Sequence, residues 1–261
     1  MTMTKRQLSY DAVADSYDLG RPGYPEPLIE DCVRMAGLTH DSRILEIGCG
    51  SGQATRPFAH RGFHMVCLEP GPNLAALARR NLAIFPRIEI QEERFEDWAL
   101  ESGTFALVLA ATSIHHVEKS VQYAKSAQAL KPRGYIAVVS NQPGQDDREF
   151  RAELDRIYAK WWGGLTAQIY TKRTLKNRIS TTKKQIETSG RFGPVEIRQY
   201  PWTVEYDSIR YMALLDSDSS RLNHPPEAQE GLKKDIAEVI SRLGGTVRRG
   251  YVAVLALARR R

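Results

Sequence analysis

The apolar residues of this chain recur with two different periods, and the alternation between them lays out the fold. Short, nearly continuous apolar runs at 44–47, 63–68, 103–111 and 135–140 have the length of buried strands, and 87–91 reads as a further strand. Helical spacing fills the intervals. Residues 26–38 carry Leu28, Ile29, Cys32 and Val33 before Gly37, residues 72–83 carry Leu74, Leu77 and Ala78, and 117–130 repeats apolar positions at 117, 121, 124, 127 and 130. A shorter helix is predicted over 53–60. Strands alternating with helices predict parallel βαβ units, so residues 43–140 read as one continuous parallel α/β core.

The pattern loosens past residue 140. Residues 141–190 read as helices containing Trp161, Trp162 and Tyr170; aromatic core under a cap is the simpler role for the two tryptophans, and lining a pocket is the other. Residues 195–204 alternate as a strand and 209–215 are helical. A helix after Pro226 places Leu232, Ile236, Val239, Ile240 and Leu243 on one face before Gly244 and Gly245, and 251–258 is a last strand. No second domain, repeat or low-complexity linker interrupts this, so 1–261 reads as a single domain with 141–190 and 206–245 as cap insertions. At the amino terminus, a short helix over 10–18 puts Tyr10, Val13, Ala14 and Tyr17 on one side until Arg21, Pro22 and Pro25 break it. Residues 1–27 read as a lid; ordinary packing of aromatics onto the domain is the alternative for any one tyrosine.

Chemistry enters at Ile44-Leu45-Glu46-Ile47-Gly48-Cys49-Gly50-Ser51-Gly52-Gln53, a buried strand followed by a glycine turn and a helix start. Glycine lets backbone approach a ligand or take positive φ, and a helix start presents free N–H groups to polar ligands. Two nucleotide chemistries fail on spacing. A dinucleotide fingerprint needs glycine at 53, where the chain has Gln53; a triphosphate loop needs a lysine at the helix start, where it reads Gly52-Gln53-Ala54-Thr55. Another acid is placed for a sugar. Glu69, ahead of Pro70 at the tip of the second strand and 21 residues past Gly48, stands where a carboxylate accepts from both hydroxyls of a ribose. A surface acid capping the next helix is the alternative.

The spacing Glu46-x-Gly48-x-Gly50-x-Gly52 resembles the first motif of class I S-adenosylmethionine-dependent methyltransferases. The structural glycine turn of some other α/β protein is the other source of such a pattern. The resemblance implies a doubly wound, Rossmann-like seven-stranded sheet, mostly parallel with an antiparallel last strand, and a helical cap. It implies S-adenosylmethionine as cofactor and S-adenosylhomocysteine as product, without a metal. Glu46, Gly48, Gly50, Gly52, Gln53, Glu69 and Pro70 would hold the cofactor, with Ala110 at the end of the fourth strand. The turn after the third strand would lie along the adenine. Arg94 stands where relatives have an acid, which leaves Phe95 and Glu96 as the contacts; Ala106 is another departure from an acid. Tyr10, Tyr17, Arg21 and Tyr24 are similar to the aromatic segment that folds over the cofactor in that family. The pattern is similar to small-molecule enzymes of the trans-aconitate methyltransferase type, in which a histidine, a tryptophan and an acid follow the fourth strand. His115 matches that histidine, His116 replaces the tryptophan and Glu118 echoes the acid.

Ligands of such a sheet sit where the strand order reverses, between the first and fourth strands, which brings His115 and His116 to the cleft. Adjacent residues at a strand end point in opposite directions, so at most one of the two is expected to face it, and with no further ligands they do not make a zinc site. A neutral imidazole, with an ordinary pKa of ~6.5, can take a proton from a hydroxyl, amine or acidic carbon. His115 is the candidate base; a histidine that only shapes the pocket is the alternative.

Composition narrows the remaining choices. The chain has 261 residues, 42% hydrophobic, with a net charge of +6. Its pI of about 9.2 permits an acidic partner without requiring one. Lys172, Arg173, Lys176, Arg178, Lys183, Lys184 and Arg191 face a single acid, Glu187, between residues 171 and 191. Without interleaved stacking aromatics this stripe reads as a solvated helix face rather than an RNA surface. The residues 1–7 lack the apolar run of a secretory signal, no window reaches membrane-spanning length, and Cys32, Cys49 and Cys67 lack metal-ligand spacing. A cytoplasmic methyltransferase acting on a small molecule is the expectation. RNA methylation through the basic stripe, or a scaffold that keeps the cofactor fold without turnover, are the rivals.

Overall fold

A computed structural model describes residues 5–164 and 172–261. The central sheet contains β1 (Arg43–Ile47), β2 (His64–Leu68), β3 (Ile88–Gln91), β4 (Phe105–Ala111), β5 (Leu130–Pro143), β6 (Phe192–Asp207) and β7 (Thr246–Arg260) in the order β3-β2-β1-β4-β5-β7-β6. Pairs from β3 to β5 are parallel, and β7 runs antiparallel to both β5 and β6. The strand order reverses between β1 and β4, which opens a crevice beyond their carboxyl ends.

Ten helices among the described residues accompany the sheet: α1 (Lys5–Asp11), α2 (Ala14–Gly20), α3 (Glu26–Met35), α4 (Thr55–His60), α5 (Pro72–Asn81), α6 (Lys119–Ala129), α7 (Arg148–Trp162), α8 (Lys172–Thr188), α9 (Ser208–Asp216) and α10 (Pro226–Arg242). Alternation along the strands sends side chains to two cores. Ile44, Met65, Leu107 and Leu109 pack with Leu28, Ile29 and Cys32 of α3, Phe58 of α4 and Ala78 of α5. On the other face Leu45, Val66, Val108 and Val138 pack with Trp98, with Tyr123 and Ala127 of α6 and with Ile186 of α8. Helix α8, from the stretch read as a cap, therefore lies on the sheet: β6 and β7 widen it, and their inner face has to be covered.

The third core belongs to the helices that rise above the crevice. Phe150, Leu154 and Tyr158 of α7, Tyr211 and Leu214 of α9, and Leu232, Ile236 and Ile240 of α10 pack with Val204, Tyr206, Val247 and Tyr251. These last four come from β6 and β7, which run longer than the apolar runs predicted. The pairs Glu205↔Arg248 and Asp207↔Thr246 continue the ladder. Polar residues at 248 and 249 hide this extension in the sequence.

The predicted amino-terminal helix is two helices. Asp11 turns the chain between them because its carboxylate accepts from the backbone N–H of Asn73 (2.9 Å) and Leu74 (3.0 Å), which caps the start of α5. Asp18 accepts from Asn81 Nδ2 at the other end of α5 (3.0 Å). Tyr170 and Thr171 lie outside the described residues.

Candidate functional site

A cavity of about 790 Å³ opens at the carboxyl ends of β1 and β4, within the range of small-molecule sites. All the residues expected at a site line it except Gly52 and Ala110. A Cβ on Gly52 would come within 2.9 Å of Leu82 Cδ1, so this glycine shapes the turn away from the cavity. Ala110 is wholly buried in the sheet core, and Ala111 and Thr112 stand in the wall in its place. The alternation along β4 puts Ala110 on the face packed against α6 and Ala111 on the opposite face.

The glycine turn is held from both sides of the switch point. Gly48 has φ of 67°, and a Cβ there would come within 2.7 Å of Ser113 Cβ; the Ser113 hydroxyl donates to the Ile47 carbonyl. Glu69 Oε2 accepts from Gly50 N (2.8 Å) and its Oε1 from Gly71 N (2.9 Å). Each carboxylate oxygen has a further lone pair to accept with, so Glu69 fixes the turn and can also receive a ligand hydroxyl. Burial pushes its carboxyl up to about 7 even though both N–H groups favour the charged form.

Glu46 points beneath α4. Its Oε2 accepts from Thr55 Oγ1 (2.7 Å), while Oε1 has no hydrogen-bond partner among the described residues. Burial raises Glu46 to about 7, with the Thr55 hydroxyl acting against it and the nearby Glu69 adding to it. Gln53 Nε2 is likewise buried without an acceptor. An unmatched buried polar group costs roughly 1–3 kcal/mol. Two buried carboxyls beside a glycine turn suit a ligand that brings positive charge and N–H or O–H donors.

The amino-terminal helices α1 and α2 lie against this floor. Tyr17 Cε1 would stand 3.3 Å from a Cβ on Gly50, and the Tyr17 ring meets Tyr10 edge-on (5.9 Å). Tyr10 reaches across to His116, with ring centroids 5.8 Å apart. Arg21 ties the amino-terminal segment to the cap: its Nε donates to Ser217 Oγ (2.8 Å) and its Nη2 to the Ser217 carbonyl (2.7 Å). The Tyr24 hydroxyl pairs with Thr112 Oγ1 at 2.8 Å.

The turn after β3 borders the cavity through Arg94, Phe95 and Glu96. The Phe95 ring is 3% exposed and stacks on Trp98 (6.3 Å) with Lys125 over both rings, so the ring is core rather than ligand wall. Arg94 is bound by Glu96 (3.2 Å), Asp97 (3.5 Å) and Glu118 (4.0 Å), and Glu96 Oε1 also accepts from Glu118 N (2.9 Å). The arginine that replaces an acid thus brings its own acids with it.

The two histidines follow β4 on a 3-10 turn, Ile114–His116, not on an extended strand end. The turn brings their rings to 4.0 Å, and both line the cavity, against the expectation that at most one would. His115 is exposed and His116 half-buried.

Sequence reasoning missed the cap side of the cavity, where Tyr158, Arg178, Arg249 and Tyr251 stand. Tyr158 shares helical spacing with Phe150 and Leu154 and reads as core. Arg249 had a usable signal: it is the one charge in the alternating set Val247, Arg249, Tyr251, Ala253. Trp161 and Trp162 do not line the cavity; Trp161 Nε1 donates to Asp235 (2.8 Å), and Trp162 stacks on His224 (4.1 Å). Among the described residues no cluster of three or more His, Cys, Asp or Glu could hold a metal, and no helix is long and apolar enough to cross a membrane.

Residues 44–134 match a family model described as a methyltransferase domain. An uncharacterized methyltransferase of Mycobacterium tuberculosis is 28% identical over 143 residues, 54% of this chain and 56% of that one. The ubiquinone biosynthesis O-methyltransferase of Cronobacter sakazakii is 26% identical over 166 residues, 62% of each chain. The chain therefore spans little more than half the length of the curated relatives it matches. Among solved structures, a protein of Anaeromyxobacter dehalogenans described provisionally as a type II methyltransferase has a TM-score of 0.62 at 22% identity, covering 92% of this chain and 96% of that one. Phosphoethanolamine N-methyltransferase 2 of Haemonchus contortus, bound to phosphomonomethylethanolamine and S-adenosylhomocysteine, has a TM-score of 0.56 at 16% identity, covering 95% and 57%. These likenesses define the fold as the Rossmann-like fold of class I methyltransferases.

Proposed function

We propose that this chain transfers a methyl group from S-adenosylmethionine to a small molecule. The observation that carries the reading is one cavity that joins the glycine turn and Glu69 to His115, His116 and the cap. S-adenosylmethionine, when bound, supplies a methyl group already activated on a positively charged sulfur. The residues present fit it. Glu69 receives the ribose hydroxyls, Gly48 and Gly50 let the backbone approach, and the unmatched Glu46 Oε1 and Gln53 Nε2 offer an acceptor and a donor to its polar amino-acid end. The backbone at Phe95 and Glu96, rather than the Phe95 ring, meets the adenine.

In this reading Tyr10, Tyr17 and Tyr24 exclude water and align the acceptor. His115 takes the proton that the acceptor loses, and His116, held against Tyr10, shapes the same wall. A small acceptor is favoured over RNA because the lid, fastened at both ends of α5 and, through Arg21, to Ser217 just past α9, stands over the glycine turn. The basic helix α8 is in part occupied: Arg178 donates to Gln142 Oε1 (2.5 Å), and Lys183 pairs with Glu187.

Calorimetric titration with S-adenosylhomocysteine and with NADH tests the cofactor. Saturable binding of the former and none of the latter is expected; the reverse order sinks the reading.

A further inference from the structure

We propose that Arg249 is the recognition point for an anionic group, a carboxylate or a phosphate, carried by the methyl acceptor. The inference rests on the methyl-transfer reading for what the cavity does, but the guanidinium itself is an observation independent of it. Arg249 lines the cavity from β7, and its side chain is only 18% exposed. Among the described residues no acceptor lies within hydrogen-bond distance of it. The nearest carboxylate oxygen, Asp146 Oδ1, is 3.6 Å from Nε, and that oxygen already accepts from Gly250 N at 3.0 Å. Asp146 is also shared with Arg151, whose Nη1 is 4.0 Å from Oδ2.

A guanidinium has five N–H donors in a fixed fork that matches a carboxylate or phosphate, and burying it without acceptors is costly. The Asp146 carboxylate offsets part of the charge but leaves those hydrogen bonds unmade. The guanidinium sits 5.7 Å from the ring centroids of both Tyr211 and Tyr251, which hold it in place and leave its hydrogen bonds unmade. Other charges near this end have partners: Arg21 at Ser217, Arg178 at Gln142 through Nη1, and Asp218 at the N–H of Ser220 at 2.9 Å. Arg249 is thus a cavity cation with donors to spare.

Its place in the sheet fits an acceptor. Pro143, at the carboxyl end of β5, pairs with Tyr251, so Arg249, paired with Val204 of β6, stands just past the end of the β5–β7 ladder. His115 follows β4, on the far side of β5, two strand spacings away or roughly 10 Å. An acceptor whose anionic group meets Arg249 would therefore present its nucleophilic atom several bonds away, toward His115 and the glycine turn.

The test uses the full chain. It is first saturated with S-adenosylhomocysteine, then titrated with malonate, with malonamide as its neutral counterpart, and with inorganic phosphate. Malonate or phosphate is expected to bind at least tenfold more tightly than malonamide, and which of the two does so names the anionic class. Arg249→Gln should lose that binding by tenfold or more while its affinity for S-adenosylhomocysteine stays unchanged, and Arg249→Lys should keep part of it. Equal binding of malonate, phosphate and malonamide by the wild-type chain overturns the proposal even where a variant fails to fold. So does a folded Arg249→Gln chain that binds the anion normally. Failure to bind S-adenosylhomocysteine, with the Arg249-dependent anion binding intact, overturns the methyl-transfer reading instead.

Discussion

Two buried carboxyls, Glu46 and Glu69, set the electrostatics of the glycine turn, and burial holds both at about 7, well above an ordinary 4.5. Between those values the folded chain keeps protons that the unfolded chain has lost. Stability without ligand therefore falls as pH rises through that window. A cationic cofactor favours the charged form of both groups, so its binding runs the other way. S-adenosylmethionine should bind roughly tenfold more tightly at pH 8 than at pH 6, and Glu69→Gln should weaken binding and flatten that dependence; equal wild-type affinities at the two pH values reject these carboxyls as cofactor ligands. At this scale much of the wall was legible. Glycine and acid spacing singled out Gly48, Gly50 and Glu69, since backbone freedom and charge at a strand tip are local properties. Ala110 stands outside the cavity wall because which face a side chain takes depends on packing from α6, distant in sequence. Arg94 could not be read alone, since its partners Glu96, Asp97 and Glu118 are brought together by the fold.

Among the elements, the lid depends most on one residue. Asp11 caps α5 from 62 residues away, and its carboxylate also takes Asn73 Nδ2 at 3.0 Å. Losing a helix cap costs about 1 kcal/mol. Asp11→Ala should lower Tm by about 2–4 °C and speed protease cleavage in residues 5–20, with weaker cofactor binding; a lid as protected as in the wild type would show that Asp11 does not fasten it. The five strands and the helices of residues 43–140 followed from periodicity, because each buries a face within its own βαβ unit. The break between α1 and α2, the 3-10 turn under His115 and the seat of α8 on the sheet did not. Each is decided by a contact with an element far along the chain: Asp11 with α5, Ser113 with β1, Ile186 with the sheet core.

For the whole molecule, the switch point between β1 and β4, the amino-terminal helices and the cap converge on one cavity, with the glycine turn and Glu69 on the sheet side and Arg249 on the cap side. The fold class was readable from the order of strands and helices, while the cap side of the cavity was not. Its residues come from β5, α7, α8 and β7, whose juxtaposition only the β5–β7 pairing creates. The central claim is methyl transfer to a small molecule, and the direct measurement is the fate of label from S-adenosylmethionine carrying a labelled methyl group, incubated with the full chain and a mixture of small metabolites and total RNA. Label should enter the small-molecule fraction, and about 10²-fold more slowly with His115→Ala, as loss of a general base requires. Label in the RNA, or in neither fraction, contradicts the claim.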